Sequence, residues 1–413
     1  MIQNPFRSFK SNLYLSYWIF NTFSLLGTWV DFTLRQWMIV EMIKNEKIAL
    51  QYVGVYNLAK FIPSAFLSFL AGYLSDRFNS RTILVLIMMI DFLNACIISY
   101  LVFTNNLNVL NFLVLAVFSG ITSSLYFPTR SKFINMLAEN KGDIPSFFSL
   151  QGVSFNLSRI IAPLIAGYLS RNFGFVWGFV FNAISFIPII VYLITIKDNH
   201  LKYPRNRGLS TETENQNNLL NNLRRTIEYI NSNGKIKKCF YGTFTVNFWG
   251  VSLVSFLQVF TKEILGANIN FFSILMSVLG LGAVIGAFLV ASTSYQVILN
   301  FREEFLILTY GLLIFLLSIF PNFCLAIIFF IGVLQALIFG FINNKLHLLT
   351  DSVILGKVMG IYSMFNISLY YFGAFCLSYI GYFLGILNLF KIVSIFIILS
   401  AILIGINVKE GKV

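Results

Sequence analysis

Residues 72–81 read Gly72-Tyr-Leu-Ser-Asp-Arg-Phe-Asn-Ser-Arg81 and sit between two long apolar runs. A short charged hinge between runs of about 20 apolar residues, the length that crosses a bilayer, joins two transmembrane helices. Its basic residues place it on the inner side of the membrane. Similar runs continue along the rest of the chain. They are unbroken, without the period-two alternation of a lipid-facing strand. Helices are then the way to satisfy the backbone in lipid.

Composition agrees. The 413 residues are 57% hydrophobic and 11% charged, against about 25% charged in a soluble domain. At roughly 20 apolar residues per crossing the length allows about twelve helices and no large soluble domain. The spans are read near 12–42, 49–75, 82–104, 108–130, 146–170, 174–196, 239–262, 270–292, 304–320, 322–345, 357–380 and 386–408. Arg7 and Lys10 precede a run too long for a signal-peptide core, so the first span is expected to remain as an anchor.

The net charge of +13 raises the question of nucleic acid, and its distribution answers against it. With both termini inside, only Lys44, Lys47, Arg171 and Lys262 fall in outer segments. Arg35, Lys60, Arg159 and Lys391 lie within or at the edges of spans. The remaining basic residues are cytoplasmic, so basicity records orientation and contact with anionic lipid. Cys96, Cys239, Cys324 and Cys376 lie in or beside apolar spans without paired spacing and read as packing residues.

The polar segment 197–238 divides the chain into a six-span bundle over 1–196 and another over 239–413. Within this linker Leu220, Leu223, Ile227 and Ile230 recur at helical spacing, which predicts a short amphipathic helix on the inner membrane surface; a solvated linker is the alternative. Phe155-Asn-Leu-Ser158 in span five recurs as Phe365-Asn-Ile-Ser368 in span eleven. Two parallel repeats predict a substrate site at their interface near the midplane.

Several motifs in order carry a family resemblance. The hinge resembles the G-x-L-x-D-R-x-x-R-R loop of major facilitator superfamily transporters. Gly27-Thr-Trp29 with Trp37, Phe127-Pro-Thr-Arg130, Phe155 through Gly167, and Phe181-Asn-Ala-Ile-Ser-Phe186 resemble segments of the branch holding macrolide efflux proteins and enterobactin-type siderophore exporters. Gly280-Leu-Gly-Ala-Val-Ile-Gly286 and Gly356-Lys-Val-Met-Gly-Ile-Tyr362 resemble that branch in the second half. The resemblance implies an all-α integral membrane protein, with twelve transmembrane helices in two parallel six-helix repeats.

It further implies that Gly72 lets helix ends approach, while Asp76, with Arg77, Arg81 and Arg130 as partners, holds the inner side shut. The alternative is that these charges only set topology. The superfamily's arginine in the middle of helix four is absent, Ser119 to Leu125 being uncharged. In span five the antiporter frame G-x8-G-x3-G-P-x2-G-G is occupied by Ser149, Ser158, Ala162, Pro163, Ala166 and Gly167. Small residues four apart permit a close, proton-tight seam, or ordinary membrane packing.

Ionisable groups in a membrane cost roughly 2.5–3.5 kcal/mol each by insertion scales and mark function when retained. Asp31 and Arg35 are four apart on span one, in the favourable order for a helical ion pair. They form either a structural pair or a proton and substrate station. Lys60, Asp91 and Arg159 lie near mid-membrane; superfamily architecture places helices two and five at the cavity and helix three farther out. Glu41 is close enough to the outer end of span one to reach water. Two bases and an acid would suit an anionic or zwitterionic substrate.

These features predict a monomeric secondary transporter in a bacterial cytoplasmic membrane, a proton-coupled exporter of a small amphipathic molecule such as a siderophore or antibiotic. Its expected partners are that substrate and membrane lipid. Lipid translocation, metabolite import and a non-transporting binding or immunity role are the alternatives. An enzyme is not expected, since His200 and His347 are the only histidines and neither H-E-x-x-H nor G-x-S-x-G is present. No nucleotide loop is seen, so no cofactor is expected, and the energy is expected to come from an ion gradient, that of protons above all, or from the substrate's own gradient.

Overall fold

The computed structural model describes residues 9, 11–138, 143–197, 201, 216–351 and 354–406; the side chains of residues 65, 66, 68–77, 216–223 and 295 are outside that description. Helix α1 spans Asn12–Met42 and begins where Ser11 Oγ accepts the Tyr14 N–H. The hinge separates α2 (Glu46–Arg77) from α3 (Ser80–Phe103). Asn79 caps α3, its side chain accepting the Arg81 N–H at 2.9 Å, which fills one of the unmet donors of a helix start. Helices α4 (Val109–Leu137), α5 (Ile144–Asn172) and α6 (Phe175–Thr195) follow.

In the linker α7 covers Gln216–Ser232, so the expected helix is present. Its exposed Ile227 and buried Thr226 and Ile230 show that the described part packs by a face slightly rotated from the expected one. Then come α8 (Gly234–Ile264), α9 (Ile269–Ala291), α10 (Tyr295–Asn300), α11 (Glu303–Ile319), α12 (Cys324–Leu349), α13 (Leu355–Leu384) and α14 (Ile386–Ile406). Two π-helical turns, Thr245–Val251 and Phe260–Ile264, interrupt α8.

Among the described residues nine helices are long and apolar enough to span a membrane. Helices α1, α2 and α11 fall outside that set for visible reasons. Asp31, Arg35 and Glu41 lie in α1; Glu46, Lys47 and Lys60 lie in α2; and α11 has 17 residues and starts with Glu303-Glu304.

The chain forms two compact units. The first holds Met1–Lys44, Val55–Arg205 and Ala267–Ser277; the second holds Asn45–Gly54, Asn206–Gly266 and Val278–Val413. Within the first, α1 packs on α5 and α6, and α3 on α4 and α6. Within the second, α8 packs on α13 and α14, and α11 on α12 and α14. The same pairing rule thus builds both units.

Glycines permit the closest crossings. A Cβ on Gly120 of α4 would press on the backbone of Lys60 in α2, its carbonyl carbon at 3.1 Å. In the second unit a Cβ on Gly282 would meet the backbone of Phe329, and one on Gly332 the backbone of Leu279. The Gly280–Gly286 motif is therefore the contact surface of α9 with α12, as expected of small residues between membrane helices. Gly332→Val should destabilise the chain by about 1–3 kcal/mol, the usual cost of overpacking. Thermal unfolding of the purified protein checks it; an unchanged midpoint would show that the helices separate freely.

Candidate functional site: a charged cavity in the first unit

One stripe of α1 carries Ser24, Thr28, Asp31 and Arg35, spaced at three and four residues and hence on one face. This face opens on a cavity of about 220 Å3 to which every helix from α1 to α6 contributes. Lys60 enters from α2, Asp91 and Asn94 from α3, Ser119 and Thr122 from α4. Trp29, Phe32, Phe127, Phe155 and Phe186 supply aromatic wall.

Arg35 is almost wholly buried, with 3% of its side chain exposed, and its Nε donates to Asp31 Oδ2 at 2.7 Å. Its Nη2 donates to Asn94 Oδ1 at 2.8 Å. Asn94 in turn donates to the Leu115 carbonyl at 2.9 Å, so a single carboxamide fixes the guanidinium against α3 and α4. Thr122 Oγ1 donates to Asp91 Oδ1 at 2.7 Å. The Lys60 ammonium lies 5.7 Å from the ring centre of Phe32 and 6.0 Å from that of Tyr56, within cation–π range.

The structure thus brings Asp31, Arg35, Lys60 and Asp91 into one cavity. Asp91 is included because α3 turns its Met88, Asp91 and Asn94 face inward. Arg159, half-buried on α5, is not among the lining residues. Glu41 is exposed and accepts the Trp37 indole N–H at 2.7 Å. Sequence reading missed Asn94, Ser119 and Thr122, since neutral polar residues in apolar spans have no signature of their own. The i, i+3 spacing of Asp91 and Asn94 was the available signal.

Of the hinge, the Gly72, Asp76 and Arg77 side-chain positions lie outside the described residues. Arg81 donates to the Leu193 and Ile194 carbonyls, both at 2.6 Å, and so covers acceptors left open at the end of α6. The Arg130 guanidinium rests over Tyr126 and Phe127, 5.2 and 5.4 Å from their ring centres.

In α5, Ser158, Ala162, Pro163, Ala166 and Gly167 are buried, whereas Ser149 is exposed and bonds its own helix at Pro145. The buried face meets the start of α9. A Cβ on Gly167 would come within 2.9 Å of Ser273 Cβ, and Ser277 Oγ donates to the Ile160 carbonyl at 2.7 Å. Two other motifs meet as well: a Cβ on Gly27 would strike Ser185 and Asn182, so Gly27-Thr-Trp29 and Phe181–Phe186 are the two sides of the α1–α6 crossing.

Residues 3–412 match the model of the family described as transmembrane secretion effector. The staphyloferrin A transporter of Staphylococcus aureus (strain NCTC 8325 / PS 47) is 21% identical over 261 residues, which are 63% of this chain and 62% of that protein. The match therefore spans less than two thirds of that relative. Among solved structures, an inward-facing, unoccupied bacterial homologue of the human lysosomal transporter Spinster gives a TM-score of 0.70 at 13% identity, covering 96% of each chain. The nucleoside transporter NupG gives 0.72 at 12% identity, covering 95% of this chain and 98% of its own. A D-xylose-proton symporter gives 0.68 at 14%, covering 97% of each. The fold is that of the major facilitator transporters, with two six-helix repeats in a multi-pass membrane protein. The chain belongs to the transmembrane secretion effector family.

Proposed function

We propose that the chain exports a small amphipathic organic molecule of the siderophore kind across a bacterial cytoplasmic membrane, exchanging it for protons by alternating access. The observation that carries this reading is the first-unit cavity, which combines two carboxylates and two cations with an aromatic wall. Such a site takes a molecule with an ionised head and an apolar body. The likeness to a staphyloferrin A transporter supports the substrate class.

Of the two carboxylates, Asp91 is the proton carrier in this scheme. Asp31 is held by the Arg35 guanidinium, whereas among the described residues Asp91 is held by the neutral Thr122 hydroxyl alone. A carboxylate without a bound cation can gain or lose a proton without breaking an ion pair. Asp91→Asn should remove gradient-driven transport while leaving membrane insertion unchanged. The test is uptake of siderophore-type and macrolide-type compounds into inverted vesicles, with and without a proton uncoupler. Uncoupler-sensitive uptake lost in the variant is the expected result; transport indifferent to the uncoupler would overturn proton coupling.

One observation favours lipid translocation as a second reading. An apolar groove of about 610 Å3 runs between α3 and α4, lined by Ile90, Leu93, Ile97, Val114 and Phe118, and it shares Asn94 with the charged cavity. An acyl chain in that groove would bring its head group beside Asn94. Movement of a labelled lysophospholipid in the same vesicles separates the two readings.

A further inference from the structure

Within the cavity, hydrogen bonding is incomplete on both sides of the charge ledger. Arg35 Nη1 is buried and has no partner among the described residues, although Nε and Nη2 are both used. The Lys60 ammonium has aromatic neighbours but makes no hydrogen bond or ion pair among the described residues. On the acidic side Asp31 Oδ1 is buried without a donor. Asp91 uses one oxygen on Thr122, and its other oxygen receives no hydrogen bond among the described residues. Unmet buried charge is expensive, and it persists where a ligand is to meet it.

A ligand bearing only an acid would satisfy the donors and leave the two carboxylate oxygens unmet; one bearing only an amine would do the reverse. We infer that the cavity is a subsite for a zwitterionic head, an ammonium and a carboxylate on one small group. Lys60 and Arg35 Nη1 hold the carboxylate, and Asp91, with Asp31 Oδ1, holds the ammonium. The inference rests on the transporter reading above and gives the substrate's head-group chemistry. It also supplies the exchange step: the ligand's ammonium and a proton compete for Asp91, so loading the head releases the proton and reprotonation releases the head. On Asp91 one positive charge replaces another, and the carboxylate the ligand brings is met by Lys60 and Arg35, so the loaded site carries one positive charge fewer than the protonated one. The apolar part of the ligand then extends along the Trp29, Phe32 and Phe155 side of the cavity.

The test uses the full chain in lipid nanodiscs and three probes that share a phenyl body: phenylalanine, 2-phenylethylamine and 3-phenylpropionate. Phenylalanine should bind at least about tenfold more tightly than either single-charge probe, a difference worth one decade in Kd. Lys60→Gln should reduce phenylalanine to the level of the amine, and Asp91→Asn to the level of the acid. Lys60→Arg, which keeps the charge, should retain binding and thereby separates lost recognition from a misfolded variant. Glycerophosphoethanolamine, the zwitterion of a lipid head, distinguishes sources: if it binds more tightly than phenylalanine, the same subsite serves a lipid head group. Equal binding of phenylalanine and 3-phenylpropionate, or no binding of phenylalanine at millimolar concentration, would overturn the inference. Either result leaves uncoupler-sensitive export untouched, so failure of the head-group assignment and failure of the transporter scheme are read on different instruments.

Discussion

An Arg35→Met chain should lose about 3–5 kcal/mol of stability, the usual cost of removing one partner of a buried ion pair, and its transport should go with it. The loss has two parts. Asp31 would be left on the cavity wall without the cation that now sits 2.7 Å away. Asn94 would lose the donor on its Oδ1 and with it the bond that ties α1 to α3. Arg35→Lys should recover only part of this, because an ammonium cannot span the two acceptors as a rigid guanidinium fork does. The double change Asp31→Asn with Arg35→Met should restore much of the stability and none of the transport. Thermal unfolding and vesicle uptake of the three variants decide the matter; an Arg35→Met protein that melts like the wild type would show that the pair carries no structural weight.

The second large effect belongs to the other unit. Glu303 and Glu304 open α11, and both are buried. Lys345 of α12 donates to Glu303 and, at 2.6 Å, to the Phe301 carbonyl. Lys238 of α8 reaches Glu304 at 2.8 Å, and Arg302 reaches it at 2.5 Å. Lys345→Met would strand Glu303, whose side chain is 2% exposed, and should cost about 3–5 kcal/mol by the same rule. Lys238→Met should cost less, because Glu304 keeps Arg302 and that pair is partly open to solvent. Comparing the two melting temperatures tests the ranking. Equal losses would mean that burial does not set the strength of these pairs.

The helices were legible because lipid allows the backbone few other choices. Span three, read near 82–104, is Ser80–Phe103, and span twelve, read near 386–408, begins at Ile386. Helix ends were harder to read than membrane crossings. Span four was expected to stop near 130, but α4 continues through Ser131 and Lys132 to Leu137, since a helix need not end where its apolar run does. The cavity was half legible. Charge in an apolar run pointed to Asp31, Arg35, Lys60 and Asp91, and helical spacing foretold the first pair. What spacing could not show was which way α3 and α5 face, and so Asp91 lines the cavity while Arg159 does not. The Glu303–Lys345 pair escaped notice because charges at span ends resemble those that only set orientation. The π turns of α8 carry no sequence mark at all.

The Asp31–Arg35 pair has a further consequence for how the protein is made. Its partners lie one turn apart on α1, so the pair can form as soon as that helix exists. Asn94 lies 59 residues farther along, and at about 5–20 residues per second the ribosome delivers it on the order of several seconds later. During that interval the pair stands on α1 without its Asn94 partner. By carrying its own counter-ion α1 presents the insertion machinery with a dipole in place of two bare ions, and the cost of entry falls accordingly. Part of the charge pattern on α1 therefore answers to the order of synthesis, before any substrate is met.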